Sequence, residues 1–197
     1  MGYQVEEVGP DDPRARLVTE MVQDLGWCIN SYSQLEYLAA DMLWIAWDLP
    51  EYLHLKRPLS QGLEGRIAHL RLLFDAPGRL QPHRDDVLLL LGRLKELSEP
   101  RHLFVHGHTQ FVYTPGGDAA LFFRRFVPPP KGGEWTKIER IVRPEQLRHA
   151  RWVWCVLAST AQRIIGDIYI DLGLEDPGRG GSITDSVAGS QGAAWSG

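Results

Sequence analysis

Between Leu17 and Ala46 the apolar residues return every three or four positions: Leu17, Met21, Leu25, Cys28, Tyr32, Leu35, Ala39, Met42 and Ala46. That is the repeat of one helix face, and it runs far longer than a strand can sustain its own alternation. A stripe of this length must be covered along its whole extent, so other helices have to lie against it. Asp12-Pro13 suits the start of the helix, with Asp12 as N-cap and Pro13 in the first helical position. Gly26 marks a point where the helix can bend or break, and Pro50 ends it.

Ser60 is a candidate cap for a second helix, with Leu63, Ile67, Leu70 and Leu73 on its inner face and Pro77-Gly78 as its stop. Pro82 and the acidic pair Asp85-Asp86 suit the first turn of a third helix with the body VLLLLGRLKEL, closed by Pro100. The period then changes. TQFVYTP, AALFFRRFV and EWTKIERIV are short, aromatic and β-branched, separated by PGGD and PPPKGG. They predict a three-stranded meander, or a hairpin plus one strand. Pro144-Glu145 opens a last helix with Leu147, Trp154, Leu157, Ala161, Ile164 and Ile168 as its stripe, ending near Gly173. The expected fold is therefore mainly α: a bundle of about four helices with a small antiparallel β element, at about 109–142, inserted before the last helix. Residues 1–11 read as a polar arm, 12–175 as the helical domain and 176–197 as a Gly/Ser-rich tail.

Composition narrows the class. Apolar residues make up 44% and charged residues 23%, enough to build a core and too apolar for wholesale disorder. There is no apolar run long enough to predict a membrane span. The first residues, MGYQVEEVGPDDP, lack the apolar stretch of a secretory signal, and Glu6 breaks the myristoylation pattern. Cys28 and Cys155 both fall in helix-periodic stretches and read as buried thiols, which points to a reducing, cytoplasmic setting.

The formal net charge of −4 is unevenly spread. Residues 101–151 carry nine Lys and Arg against four Asp and Glu, whereas both flanking segments are acidic. An anionic partner is expected to meet this middle segment. Arg124, Arg125, Lys137 and Arg140 are its candidate RNA-binding cations, with Lys131, Arg143, Arg148 and Arg151 nearby in sequence. Phe122, Phe123, Phe126 and Trp135 are interleaved and suited to base stacking. The competing reading is a solvated basic face, with half of the aromatics covering the bundle. Trp44, Trp47, Trp152 and Trp154 read as core or dimer contacts.

The stretch Arg101-His102-Leu103-Phe104-Val105-His106-Gly107-His108 places a fixed cation, three imidazoles and a glycine between a helix break and the β element. On a helix Arg101 and His106 are about 140° apart, so they do not stack, but their side chains can converge at the helix edge. His102 and His106, four apart, share a face. The pattern Arg101-HLFV-His106 resembles the motif of the HEPN superfamily: an arginine, often followed by a polar residue, then a histidine after a short spacer. The helix INSYSQLEYLAADMLW, with Glu36 at its middle, also looks like that family's first long helix. Arg143-PEQLR-His149 and Arg101…His108 fit the bare spacing too. Arg143 stands at a strand-to-helix joint with no polar residue behind it, whereas Arg101 follows the third helix, where the family carries its motif.

The resemblance implies a helical, metal-independent endoribonuclease, of toxin or antiphage type, acting on RNA without a cofactor. His106 would be the acid/base, Arg101 the phosphate clamp and His102 a supporting polar group. Glu36 would orient the guanidinium. The products would be a 2′,3′-cyclic phosphate and a 5′-hydroxyl. A homodimer with facing motifs is implied, and an antitoxin protein is a further candidate partner. Other readings of the same residues stand beside this one. His106-Gly107 can be a helix C-terminus. Arg101 and His106 can serve structure alone in a silent RNA- or protein-binding scaffold. Glu36 can be an exposed surface residue. His102, His106 and His108 can be weighed as zinc ligands, but HExxH fails because residue 103 is Leu, so no metal site is expected.

Overall fold

The computed structural model describes Gly9, Asp12 and residues 14–113, 119–129 and 132–174. The arm expected at 1–11 (Gly9 aside) and the tail at 176–197 lie outside the described residues. So do Pro13, Lys131 and the turn that joins the first two strands. The described elements run in the order α1 Ala15–Trp47, α2 Leu63–Asp75, α3 Arg84–Glu96, α4 Ser98–His106, β1 His108–Tyr113, β2 Ala119–Val127, β3 Thr136–Val142 and α5 Pro144–Asp171. Short 3-10 turns cover Pro50–Leu55 and Gln81–His83. The chain is thus mainly helical with one small sheet, with five α-helices among the described residues where about four were expected.

The extra helix comes from Pro100. It does not close the third helix; it lies in the first turn of α4, where the missing N–H has no partner to lose. Its ring would collide with the carbonyl of Glu96, four residues back, and Glu96 is the last residue of α3. The chain turns at Leu97, which ends α3 and starts α4, its carbonyl accepting the Arg101 N–H at 3.0 Å. Gly26 does not break α1, which runs on through it to Trp47. It lies on the solvent face with open space where a Cβ would sit. Ser60 is not the cap of α2, which starts after Gly62; its hydroxyl donates instead to the Gly62 carbonyl. Asp12 lies one turn ahead of α1, accepting the Arg14 N–H on its carboxylate at 2.8 Å.

The two long helices form the main packing pair. Met21, Cys28, Leu35, Ala39, Met42 and Ala46 of α1 are buried, as are Trp154, Ala158, Ala161, Ile165 and Ile168 of α5. Their interface holds one buried carboxylate, Asp24, which accepts from Arg151 Nη1 at 2.8 Å. Both thiols are free; Cys28 is fully buried, and burial pushes it up to about 12. Trp47 and Trp154 belong to the core, while Trp44 and Trp152 stand in solvent.

The sheet is the expected meander, antiparallel in the order β1-β2-β3. Leu121 and Phe123 of β2 enter the core, and Phe123 packs on Phe104 of α4 with ring centroids 5.2 Å apart. Phe104 in turn packs on Trp154 at 5.5 Å, and Trp154 on Tyr32 of α1 at 5.6 Å. This aromatic chain ties sheet, α4, α5 and α1 together. Gly107 joins α4 to β1; a Cβ there would come 2.4 Å from the Leu103 carbonyl oxygen, so only glycine lets the chain leave the helix this tightly.

Trp154→Ala removes the centre of that aromatic chain and is expected to cost roughly 3–5 kcal/mol of stability. Denaturant unfolding measures it; a loss below about 1 kcal/mol would mean that the helices and sheet are held by other contacts.

Candidate functional site

α4 is short, and the candidate residues at its two ends are positioned by different neighbours. Leu103 and Phe104 point into the core, which turns Arg101 towards α1 and leaves His106 exposed at the C-terminal turn. Although separated by about 140° of helix rotation, the two side chains meet: Arg101 Nη1 lies 3.3 Å from His106 Nε2. A guanidinium can only donate, so this contact is a hydrogen bond in the tautomer that leaves Nε2 without a proton. An unprotonated ring nitrogen is the form a general base requires.

Glu36 accepts from the other side of the same guanidinium, its Oε2 being 3.3 Å from Arg101 Nη2. The Arg101 and Glu36 side chains keep 23% and 25% of their surface in water, so the pair is reachable from solvent. Arg101 also lies over the Tyr32 ring, 5.6 Å from its centroid. Burial, with help from Glu36, pushes the Tyr32 phenol up to about 12, so it stays protonated and neutral at working pH. Tyr32 was visible in the sequence only as a member of the apolar stripe; nothing in that stripe marks it as the platform under Arg101.

His102 stacks on His106, ring centroids 5.8 Å apart and planes 28° from parallel. Its Nδ1 is buried without a hydrogen bond. Burial holds its pKa below the usual imidazole range, and the positive charges of Arg125 and Arg101 act in the same direction. His102 is therefore a neutral neighbour of the site rather than a second proton carrier near neutrality.

The four candidate RNA-binding cations do not form one patch. Antiparallel partners share a face and neighbours along a strand alternate. Arg125 pairs with Ile138, and Arg140 with Phe123, on the face that looks at α4. Arg125 Nη1 lies 3.6 Å from Glu99 of α4, and Arg140 lines a groove of about 350 Å³ with Glu99, Pro100, Leu103 and Phe104. Arg124 and Lys137 lie on the opposite face, and both are held by one carboxylate: Glu139 Oε1 is 2.9 Å from Arg124 Nε and 2.6 Å from Lys137 Nζ. Phe126 is exposed on that outer face, with Arg124 over the Phe122 ring. The alternation was readable in LFFRRF; what it faced was not.

His108 belongs to β1 and pairs in register with Arg124, on the outer face of the sheet, away from His102 and His106. Among the described residues no three His, Cys, Asp or Glu side chains converge as metal ligands. No described helix is long and apolar enough to cross a membrane. Comparison of the chain with protein-family models, curated proteins and solved structures finds no match.

His102 carries a consequence for pH. Its folded pKa is depressed, so between that midpoint and about 6.5 the unfolded chain binds more protons than the fold does. Its contribution to stability is intact above about 6.5 and falls as the pH drops through the depressed midpoint. NMR titration is expected to find the His102 ring titrating below 6.5 and to find the midpoint rising in Arg125→Gln; a midpoint at or above 6.5 in the native protein would contradict the environment described.

Proposed function

We propose that the chain is an endoribonuclease whose reaction is run by His106 and Arg101. The observation that carries the reading is the approach of the Arg101 guanidinium to His106 Nε2, at 3.3 Å and open to solvent. RNA holds its own nucleophile, so the enzyme has two tasks: moving a proton and steadying negative charge. His106 Nε2 takes the proton of the 2′-OH. The 2′ oxygen then bonds to the adjacent phosphorus while the bond from phosphorus to the 5′ oxygen breaks. The proton is returned to that leaving oxygen. For this, Arg101 Nη1 leaves His106 Nε2, freeing its lone pair, and the guanidinium donates to the non-bridging oxygens, where a planar cation forks onto two acceptors. Glu36 and Tyr32 hold the guanidinium in place, and His102 packs the imidazole from the side. The products are a 2′,3′-cyclic phosphate and a 5′-hydroxyl.

The assignment extends to the surroundings. The HEPN-like reading makes the working unit a homodimer. Its support is the pair of exposed aromatic rings on α1, where Tyr37, next to Glu36, and Trp44, two turns further on, are 68% and 63% exposed. Free thiols at Cys28 and Cys155 suit a reducing cytoplasm.

Purified protein is expected to cut RNA in the presence of EDTA. His106→Ala should lower the rate by roughly a hundredfold or more with helicity unchanged, and Arg101→Lys should retain only part of the rate because the fork is lost. Cutting that survives His106→Ala would remove this imidazole from the reaction. Binding of RNA that weakens with salt but never leads to cleavage would favour the silent scaffold.

A further inference from the structure

Six side chains from three elements gather along α4. Glu36 on α1 holds Arg101; Arg101 meets His106; His106 stacks on His102; and Arg125 on β2 faces Glu99, one turn of α4 ahead of His102. Each guanidinium has a carboxylate partner. The two arginines are not equally engaged. Arg101 has hydrogen-bond partners on both sides. The Arg125 side chain makes no hydrogen bond among the described residues, and its Nη1 is buried, with the Glu99 oxygen at 3.6 Å, too far for one.

A guanidinium carries five N–H donors, and Arg125, ion-paired to Glu99 but hydrogen-bonded to nothing among the described residues, has donors left to give. Arg125 retains 18% of its side-chain surface, enough for its remaining donors to reach a ligand at the rim. The neighbouring His102 Nδ1 is likewise buried without a partner. Glu99 and His102 are three residues apart on α4, so Arg125 and His102 meet the same turn of that helix.

We propose that Arg125, carried on β2, binds the phosphate adjacent to the one clamped by Arg101, so that the site engages two consecutive phosphodiesters of one RNA strand. The inference rests on the nuclease reading for the identity of the ligand, and it assigns a role to the β insertion: one of its faces completes the site begun by α4. Arg125 acts in binding and register, whereas the proton transfer stays with His106. The outer-face cations Arg124 and Lys137, already neutralised by Glu139, are not part of this contact.

The test uses two 2′-O-methylated RNAs, which bind but have no nucleophile: a dinucleotide with one phosphodiester and a trinucleotide with two, both lacking terminal phosphates. Binding is followed by NMR on the full chain. Arg125→Gln is expected to weaken the trinucleotide about tenfold, in line with losing a charge-assisted contact, and to leave the dinucleotide within about twofold. Arg101→Gln should weaken both. Arg125→Lys, which keeps the charge and replaces the fork, should lose an intermediate amount and only for the trinucleotide; it gives the same reading if the glutamine variant fails to fold. Equal losses on both RNAs, or no loss on either, would overturn the proposal. Because neither RNA can be cut, the outcome is independent of catalysis. The expected binding pattern without cleavage of unmodified RNA would leave this site standing and sink the nuclease reading; cleavage without the pattern would do the reverse.

Discussion

The site depends on one guanidinium being unable to wander. A free arginine side chain samples many rotamers, and fixing it costs about 2 kcal/mol of entropy. Arg101 is fixed by contacts of three kinds at once: the Glu36 carboxylate, the Tyr32 ring and the His106 Nε2. The first two come from α1, so the position of α4 against α1 decides whether Arg101 meets His106 at all. The guanidinium stays reachable because Glu36 and Arg101 are themselves only partly covered. A fully buried pair would have to shed its carboxylate partner, at high cost, before taking a phosphate.

What sets α4 against α1 is the aromatic chain Phe123, Phe104, Trp154 and Tyr32. It crosses four elements, and its last member is the platform under Arg101. Core and site are therefore one construction: the ring that ends the packing chain begins the electrostatic one. The break at Leu97 matters for the same reason. Were α3 to run on through Pro100, residues 101–106 would follow the α3 axis instead of forming the separate helix that brings Arg101 to Glu36.

Much of this layout could be read from residue spacing. The stripe from Leu17 to Ala46, the meander and the helix opened by Pro144 are local patterns, and local patterns survive folding when each element buries its own stripe. The approach of Arg101 to Glu36 and His106 was one of two readings that the residues allowed, beside an exposed Glu36 and a helix C-terminus at His106-Gly107; spacing along one helix could not choose, because Glu36 lies on another. The features that escaped are set by contacts between distant segments. Pro100 was read as a helix end, whereas it occupies a first turn; both uses fit the same residue, and the choice falls to the carbonyl of Glu96. Ser60 and Asp12 have capping chemistry but sit two or more residues outside the helices they were expected to cap. The basic residues of β2 and β3 were grouped by sequence, whereas the strand pleat divides Arg125 and Arg140 from Arg124 and Lys137. Buried Asp24 gave no signal, since its partner Arg151 lies on the last helix.

The central claim is that Arg101 and His106 act together on one phosphate. A double-mutant cycle on RNA cleavage tests it most directly, comparing Arg101→Ala, His106→Ala and the pair. Groups that work as a unit give a double variant about as slow as the slower single one, and that is the result expected here. Losses that simply multiply would show two independent side chains and contradict the account.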